Sequence, residues 1–522
     1  MKTKYLFLTL FFFGLFSALN SQIFQRSYGR AGSETGTCVQ STLDGNYITS
    51  AFTTTQGSGY EDVYLLKTDT AGKLLWSKTY GGSLSDKAYF VSTCTDSGFI
   101  ITGATSSFGA GNYDLYLIRT DSLGNLLWST AIGGSGDDYG WNVIQTNDGG
   151  FLAAGYTHSF GNGSWDGYLV KTNAAGVLQW TKVFGGNGDD DFYGLAKTSD
   201  GGYILTGSSA THSVGSSDTW LVKLDANADT VWTRLYGKIT EDAGNAVIQT
   251  ADGGYMVAGD IHTTLTTGGH NASLLKTDSQ GDLQWVRVYG SNPGSEIGYA
   301  VRQAPDGGYF LLGNTGAYGS GSQDILLVKA SSVGALLWAK TYGSLYIEDA
   351  WYFHPLKNNG NVIVGTMQTV AAGQFDVFLV STDSLGNSSC DQTAPAPLVN
   401  TPALQESRGT TITSGGVAVT PSTITQIPAT ITGDPCAFVG IVENTSLDDE
   451  VSIYPNPSNG RFTVSGLKSP VQIQVYSLFG EKVFETTVNS KSQTLNLNVA
   501  RGIYSVKINS GEKIIVKKLV VE

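Results

Sequence analysis

Charge, cysteine and histidine are scarce in this chain: of 522 residues, 14% are charged, four are cysteine and five are histidine. Four cysteines in so long a chain cannot form a disulfide framework, although an exported chain permits one or two bridges. His158, His212, His262, His270 and His354 show no His-Glu-x-x-His spacing, and neither a Gly-x-Ser-x-Gly elbow nor a P-loop occurs. His262 and His270 share one predicted loop and read as isolated surface or hydrogen-bonded groups rather than a metal pair. Lys and Arg form no cluster, and with a formal net charge of -13 this argues against nucleic acid or anionic lipid as a partner. Runs of Glu, Lys, Leu and Ala are nearly absent, whereas glycine (67) and tyrosine (26) abound, so strands and tight turns are expected in place of helices.

Long apolar runs are missing as well, apart from the start. "MKTKYLFLTLFFFGLFSALNSQ" has Lys2 and Lys4, an apolar core from Tyr5 to Phe16, then small and polar residues. That order predicts a cleavable secretory signal over residues 1–22, because the core is too short to cross ~30 Å of hydrocarbon. No cysteine near the cut suggests a lipid anchor. The mature chain is therefore expected to be exported, soluble and not transmembrane.

What is present is a repeat. Trp76, Trp128, Trp180, Trp232, Trp285 and Trp338 are separated by 52, 52, 52, 53 and 53 residues. Phe24 stands 52 before the first and Cys390 stands 52 after the last, giving seven units. One unit, Trp128 to Gln179, reads as four short strands: "WSTAIGG", "YGWNVIQT", "FLAAGYT" and "DGYLVKT", with turns "NDGG" and "NAAG". The predicted fold class is all-β: a seven-bladed β-propeller of four antiparallel strands per blade over residues 23–390. "IFQRSYG" has no strands before it, so the first strand is expected to complete the seventh blade.

Two recurring acids suggest sites. "NDGGFLAAG", "SDGGYILTG", "ADGGYMVAG" and "PDGGYFLLG" place Asp148, Asp200, Asp252 and Asp306 before glycines, with Asp44-Gly45 and Asn359-Gly360 in the outer copies. A calcium loop needs six or more oxygens at alternate residues, whereas Asp-Gly and Gly-Gly between apolar strands suit the positive φ of a hairpin. These are read as turns. A second set, Glu34, Asp86, Asp138, Asp190, Asp242, Glu296 and Glu348, precedes the innermost strand of each unit, with Asp137, Asp189, Asp191, Glu241 and Asp349 beside it. All seven are expected around one channel mouth, where each is either satisfied by backbone N–H groups, locking blade to blade, or part of a cation or ligand site. No cofactor is predicted; calcium is the one candidate. Asp62, Asp114, Asp166, Asp218, Asn271, Asp324 and Asp376, followed five residues later by Lys67, Arg119, Lys171, Lys223, Lys276 and Lys329 in the first six, are regular enough to read as scaffold, as are the tryptophans.

"DTAGKLLW" and "DSLGNLLW" resemble the tryptophan-docking repeat of quinone-dependent dehydrogenases and their non-enzymatic propeller relatives. That family implies eight blades and, in several members, adjacent cysteines; this chain has seven units and no Cys-Cys pair, so no cofactor residue is carried over. After Cys436 the chain reads "VSIYPNPSNGRFTVSG", "VQIQVYSLFGEKVFE" and "LNLNVARGIYSVKINSGEKIIVKKLVVE". Tyr454-Pro455-Asn456-Pro457, Gly480, Gly502-Ile503-Tyr504 and Lys517-Lys518-Leu519 are similar in order and spacing to the type A sorting domain of the type IX (Por) secretion system of Bacteroidetes. The resemblance implies a small Ig-like β-sandwich over 451–522 that engages the type IX machinery, carries the protein across the outer membrane and is then removed. Between lies 391–450, rich in Thr, Pro and Ser, expected to form an extended linker that a Cys390–Cys436 bridge would pull back.

These readings describe a secreted or surface-attached binding or structural module for a protein or glycan. The alternative class is a surface hydrolase acting on polysaccharide, or a quinoprotein-like enzyme.

Overall fold

Asp148 and Gly149 set the local geometry of one repeat. Gly149 takes φ +81° with open space around it, and Thr146 and Gly150 close the hairpin through backbone hydrogen bonds. Asp148 accepts the Gly150 N–H at 3.0 Å and pairs with Lys171 at 2.9 Å. Lys67–Asp44, Arg119–Asp96, Lys223–Asp200, Lys276–Asp252 and Lys329–Asp306 repeat that pair. The cation of the third strand thus serves the turn acid of the same sheet.

The structure is a computed structural model. It describes residues 23–433 and 452–521, apart from 31, 212, 239, 263–268, 292–294, 369–373, 391, 396, 401–404, 408–410, 414–416, 420–430, 457, 468–469, 478–481, 498, 500 and 510–513. The predicted signal, residues 1–22, lies outside it, as do Cys436, Pro457 and Gly480.

The described chain is all-β, and its ruling element is a four-stranded antiparallel sheet. Each sheet opens on an acid, with first strands Glu34–Ser41, Asp86–Thr93, Asp138–Gln145, Asp190–Lys197, Asp242–Gln249, Glu296–Gln303 and Glu348–Pro355. In the Asp138 sheet the following strands are Phe151–Thr157, Asp166–Thr172 and Leu178–Gly185, paired in sequence order. The Glu348 sheet differs. Its fourth strand is the N-terminal Phe24–Tyr28, in register with Phe375–Ser381 from Phe24↔Ser381 to Tyr28↔Val377. The ladders do not join into one closed ring of hydrogen bonds; neighbouring sheets meet through side chains and single bridges such as Glu61↔Ser85.

The tryptophans fill these junctions. Trp128 on a fourth strand packs edge-on to Phe151 of the same repeat unit at 5.6 Å, and a Cβ on Gly176 would lie 2.6 Å from its ring. Tyr80, Tyr289 and Tyr342 donate their hydroxyls to the carbonyls of Gly124, Gly334 and Gly386 in the next sheet's turn. These three junctions therefore bury an aromatic body and satisfy its polar tip.

The segment after the repeats does not behave as a free linker. Gln392–Thr393, Leu398–Asn400, Gln405–Ser407, Thr411–Thr413 and Val417–Val419 pair antiparallel with the fourth strands of the Glu296, Asp242, Asp190, Asp138 and Asp86 sheets, and Ile431–Gly433 pairs with Phe24–Tyr28. Its composition, rich in Thr, Pro and Ser, offers little to build a core of its own. Yet an extended chain satisfies the open N–H and C=O groups of an edge strand, and that is what it does. Cys390 is disulfide-bonded, while Cys38 and Cys94 are free and buried.

Residues 437–522 form a separate unit. Sheets Ser452–Tyr454, Arg461–Ser465, Ser492–Asn496 and Val471–Ser477, Lys482–Val488, Gly502–Asn509, Ile514–Val521 share a core of Phe462, Val464, Ile473, Val475, Val506, Ile508 and Leu519.

Candidate ligand-binding site

The first strand of every sheet follows one pattern. The opening acid is buried, and a β-bulge follows, as between Gly140 and Asn142 or between Ala350 and Tyr352. The bulged residue, three after the acid, has no register partner and its side chain is re-aimed. That position holds Thr37, Tyr89, Trp141, Tyr193, Asn245, Tyr299 and Trp351.

These residues converge. Tyr89 stacks on Trp141 at 4.3 Å, Trp141 lies parallel to Trp351 at 6.3 Å, and Tyr299 stacks on Trp351 at 5.6 Å. Tyr193 stands at 79° to Trp141, 5.4 Å away. With Asn142, Asp260 and His270 they line a cavity of about 400 Å³, a size that suits a small ligand. His270 Nδ1 lies 2.5 Å from Asp260 Oδ2, and that contact pushes the imidazole pKa up. His262 and His270 are register partners at the ends of paired strands, with rings 5.4 Å apart. Behind the wall, Tyr193 donates to Asp191 at 3.1 Å, and burial pushes Asp191 up to about 6.

The acids singled out in the sequence lie elsewhere. Glu34, Asp86, Asp138, Asp190, Asp242, Glu296 and Glu348 are each 0% exposed. Asp138 accepts the Gly134 N–H at 2.8 Å, the Ser159 hydroxyl at 2.7 Å and the Thr157 hydroxyl. Asp86 does the same with Gly82, Ser107 and Thr105, and Glu34 with Arg30, Thr53 and Thr55. Asp190 is held by Gly186, Ser209 and Thr211, Asp242 by the Lys238 and His262 N–H groups, Glu296 by Ser291 and Thr315, and Glu348 by Ser344. Each acid is bonded to its own loop and, in most sheets, to hydroxyls at the end of the following strand. Among the described residues, no group of three or more His, Cys, Asp or Glu is placed to hold a metal. The backbone N–H of the acid also crosses to the neighbouring sheet, as in Asp138 N to Tyr113 O at 2.7 Å. The second acid set abuts the first: a Cβ on Gly133 would lie 2.4 Å from Asp114 Oδ1 and 2.3 Å from Asp138 Oδ2. Only glycine fits between them.

Sequence reasoning missed the aromatic row because it followed what was constant. The row is signalled by an aromatic three residues after the acid in five units, broken by Thr37 and Asn245.

In the C-terminal unit, Asn456 donates to the Lys518 carbonyl at 2.6 Å and accepts the Val520 N–H at 2.8 Å, tying the Tyr454-Pro455-Asn456 stretch to the Lys517-Lys518 strand. Tyr504 on Gly502–Asn509 is buried and in register with Leu519. Residues 452–522 match the family described as the secretion system C-terminal sorting domain. The chain carries a type IX sorting domain. This domain marks the protein as one secreted to the cell surface or the extracellular space, and it implies engagement with the type IX machinery. No described helix is long and apolar enough to cross a membrane. No curated protein matches the chain significantly. Among solved structures, PorZ, described as an essential bacterial surface component of the type-IX secretion system of Porphyromonas gingivalis, is similar over 91% of this chain and 68% of its own. Its identity is 12% and its TM-score 0.35.

Proposed function

We propose that the protein is an exported binding module: a seven-bladed propeller over 23–390 whose axis holds the aromatic cavity, preceded by a signal at 1–22 and delivered by a sorting domain that is removed afterwards. The cavity carries this reading. Its aromatic walls come from the first strands of sheets far apart in sequence, and Trp141 meets Trp351 across them. Such convergence is what a ring of sheets around an axis would produce. Packing of Glu34–Ser41 against Glu348–Pro355 and Asn361–Gln368 supports closure, as does completion of the Glu348 sheet by the N-terminal strand. A protein or glycan that presents a small group to the cavity is the ligand class.

The test is a glycan and protein binding screen on the full chain, followed by titration of the hits with tryptophan fluorescence as readout. Saturable quenching that Trp351→Leu abolishes is expected; hits that bind with unchanged affinity to that variant would place the binding elsewhere. Calcium enters as a separate question. Because each opening acid is already satisfied by backbone N–H groups and hydroxyls of the protein, added calcium should leave the melting temperature unchanged. Bound at ~100 times its Kd it would instead add ~2.7 kcal/mol, and EDTA would reverse the shift.

A further inference from the structure

We propose that the cavity takes a quaternary alkylammonium group, seated against the rings of Trp141, Tyr193, Tyr299 and Trp351. This rests on the cavity being the binding site and adds the chemistry of what enters it.

Charge is the first ground. The cavity lining contains no Lys or Arg, and its one carboxylate is Asp260. Lys87, two residues before Tyr89, is paired with Glu61 at 2.9 Å. An anion entering this space would lose its hydration and find His270 as its one cationic partner, an imidazole already held by Asp260 at 2.5 Å. Asp191 stands behind Tyr193, and Asp349, which accepts from Asn314 at 3.2 Å, stands near Tyr299. Burial first, then these carboxylates, hold the Tyr193 and Tyr299 protons more tightly than usual, as expected where the local field is negative.

Shape is the second. Trp141 and Tyr193 meet at 79°, so a face and an edge form a corner, and Trp351 with Tyr299 continues the wall. Aromatic rings standing around a desolvated space attract an organic cation through their quadrupoles, and a quaternary ammonium needs no hydrogen-bond acceptor. The volume of about 400 Å³ exceeds one trimethylammonium group and leaves room for a substituent. Asn142, 9% exposed, is a polar residue of the lining, and its Oδ1 is buried without a hydrogen-bond partner.

The experiment titrates the full chain with choline and with 3,3-dimethylbutan-1-ol, the neutral isostere in which carbon replaces the charged nitrogen. The expected result is saturable tryptophan quenching by choline, at least about tenfold tighter than by the alcohol. Asp260→Asn should weaken choline and leave the alcohol unchanged, a variant that stays informative if Trp351→Leu fails to fold. Phosphatidylcholine vesicles form a second arm: co-sedimentation that choline competes away assigns the group to a lipid headgroup, and choline binding without co-sedimentation assigns it to a free ammonium compound. Equal affinity for choline and the alcohol overturns the proposal, as does a methyl hexoside that saturates the cavity while choline does not. In both cases the cavity remains a binding site. Only silence from every probe, with Trp351→Leu indifferent to all hits of the screen, removes that as well.

Discussion

Asp138 lives in an apolar place by gathering donors: one backbone N–H and two hydroxyls, on a carboxylate whose pKa burial pushes up. Asp138→Asn turns one acceptor oxygen into a donor facing other donors. The expected cost is on the order of 1 to 3 kcal/mol, read as a lower denaturation midpoint in urea at constant slope. His270 gives a pH signature. Asp260 raises its pKa above the ordinary 6.5, so the pair's stabilisation is complete below that value and is lost as pH rises through the folded pKa. The charges of Glu241 and Asp242 act on the imidazole in the same direction as Asp260. The melting temperature of the wild type should therefore fall relative to His270→Gln between pH 6 and pH 8; parallel curves for the two would show the pair to be idle.

Junctions between sheets depend on a large ring under a turn glycine. Trp128 is half-buried against Phe151 and Gly176, so Trp128→Ala should cost at or below the low end of the ~3–5 kcal/mol typical of buried aromatics. The strap of short strands is testable by hydrogen exchange. Ile412 is in register with Phe184, and Ile412→Pro should release amides at Val183–Gly185 while Asp138–Gln145 stays protected; unchanged exchange at that edge would mean the strap contributes nothing there. These elements also mark what a sequence discloses. The turns and the repeat were legible because Asp148-Gly149 and the tryptophans answer to local sterics and a fixed period. Completion of the Glu348 sheet by Phe24–Tyr28 followed from counting strands. The strap was not legible, because pairing with an edge needs only an extended backbone and leaves no pattern in Thr411–Thr413. The hydroxyls of Thr157 and Ser159 were hidden for a related reason: the sequence shows an acid recurring, not which strand end nineteen or twenty-one residues later returns to it. The cavity was the least legible, since its residues vary from unit to unit while the scaffold repeats.

Across the whole molecule two families of carboxylates oppose each other. Burial pushes Asp62, Asp114 and Asp166 up to about 6 and Asp242 up to about 7. Asp148 and Asp200 are lowered to about 2 by the Thr146 and Thr198 hydroxyls and then by Lys171 and Lys223. The raised group favours folding fully below the ordinary aspartate value of 3.8 and loses that advantage as pH rises through 6 to 7; the lowered group loses its own only as pH falls through about 2. Calorimetry should therefore find the repeat unit most stable on the acidic side, near pH 4, with the melting temperature falling toward pH 8 and falling less in Asp114→Asn. A rise toward pH 8 would contradict the assignment. The sheet shared by both ends of the repeat region carries a different consequence, one of timing. Phe24 pairs with Ser381, and the Ser388 hydroxyl reaches the Phe24 carbonyl 364 residues away. At about 5–20 residues per second, the ribosome delivers the second half of that sheet roughly 20 to 70 s after the first. Until then the N-terminal strand waits without a partner, and a chain truncated before residue 375 never supplies one. The joint thus acts as a check on completeness, sealing only when the last repeat exists.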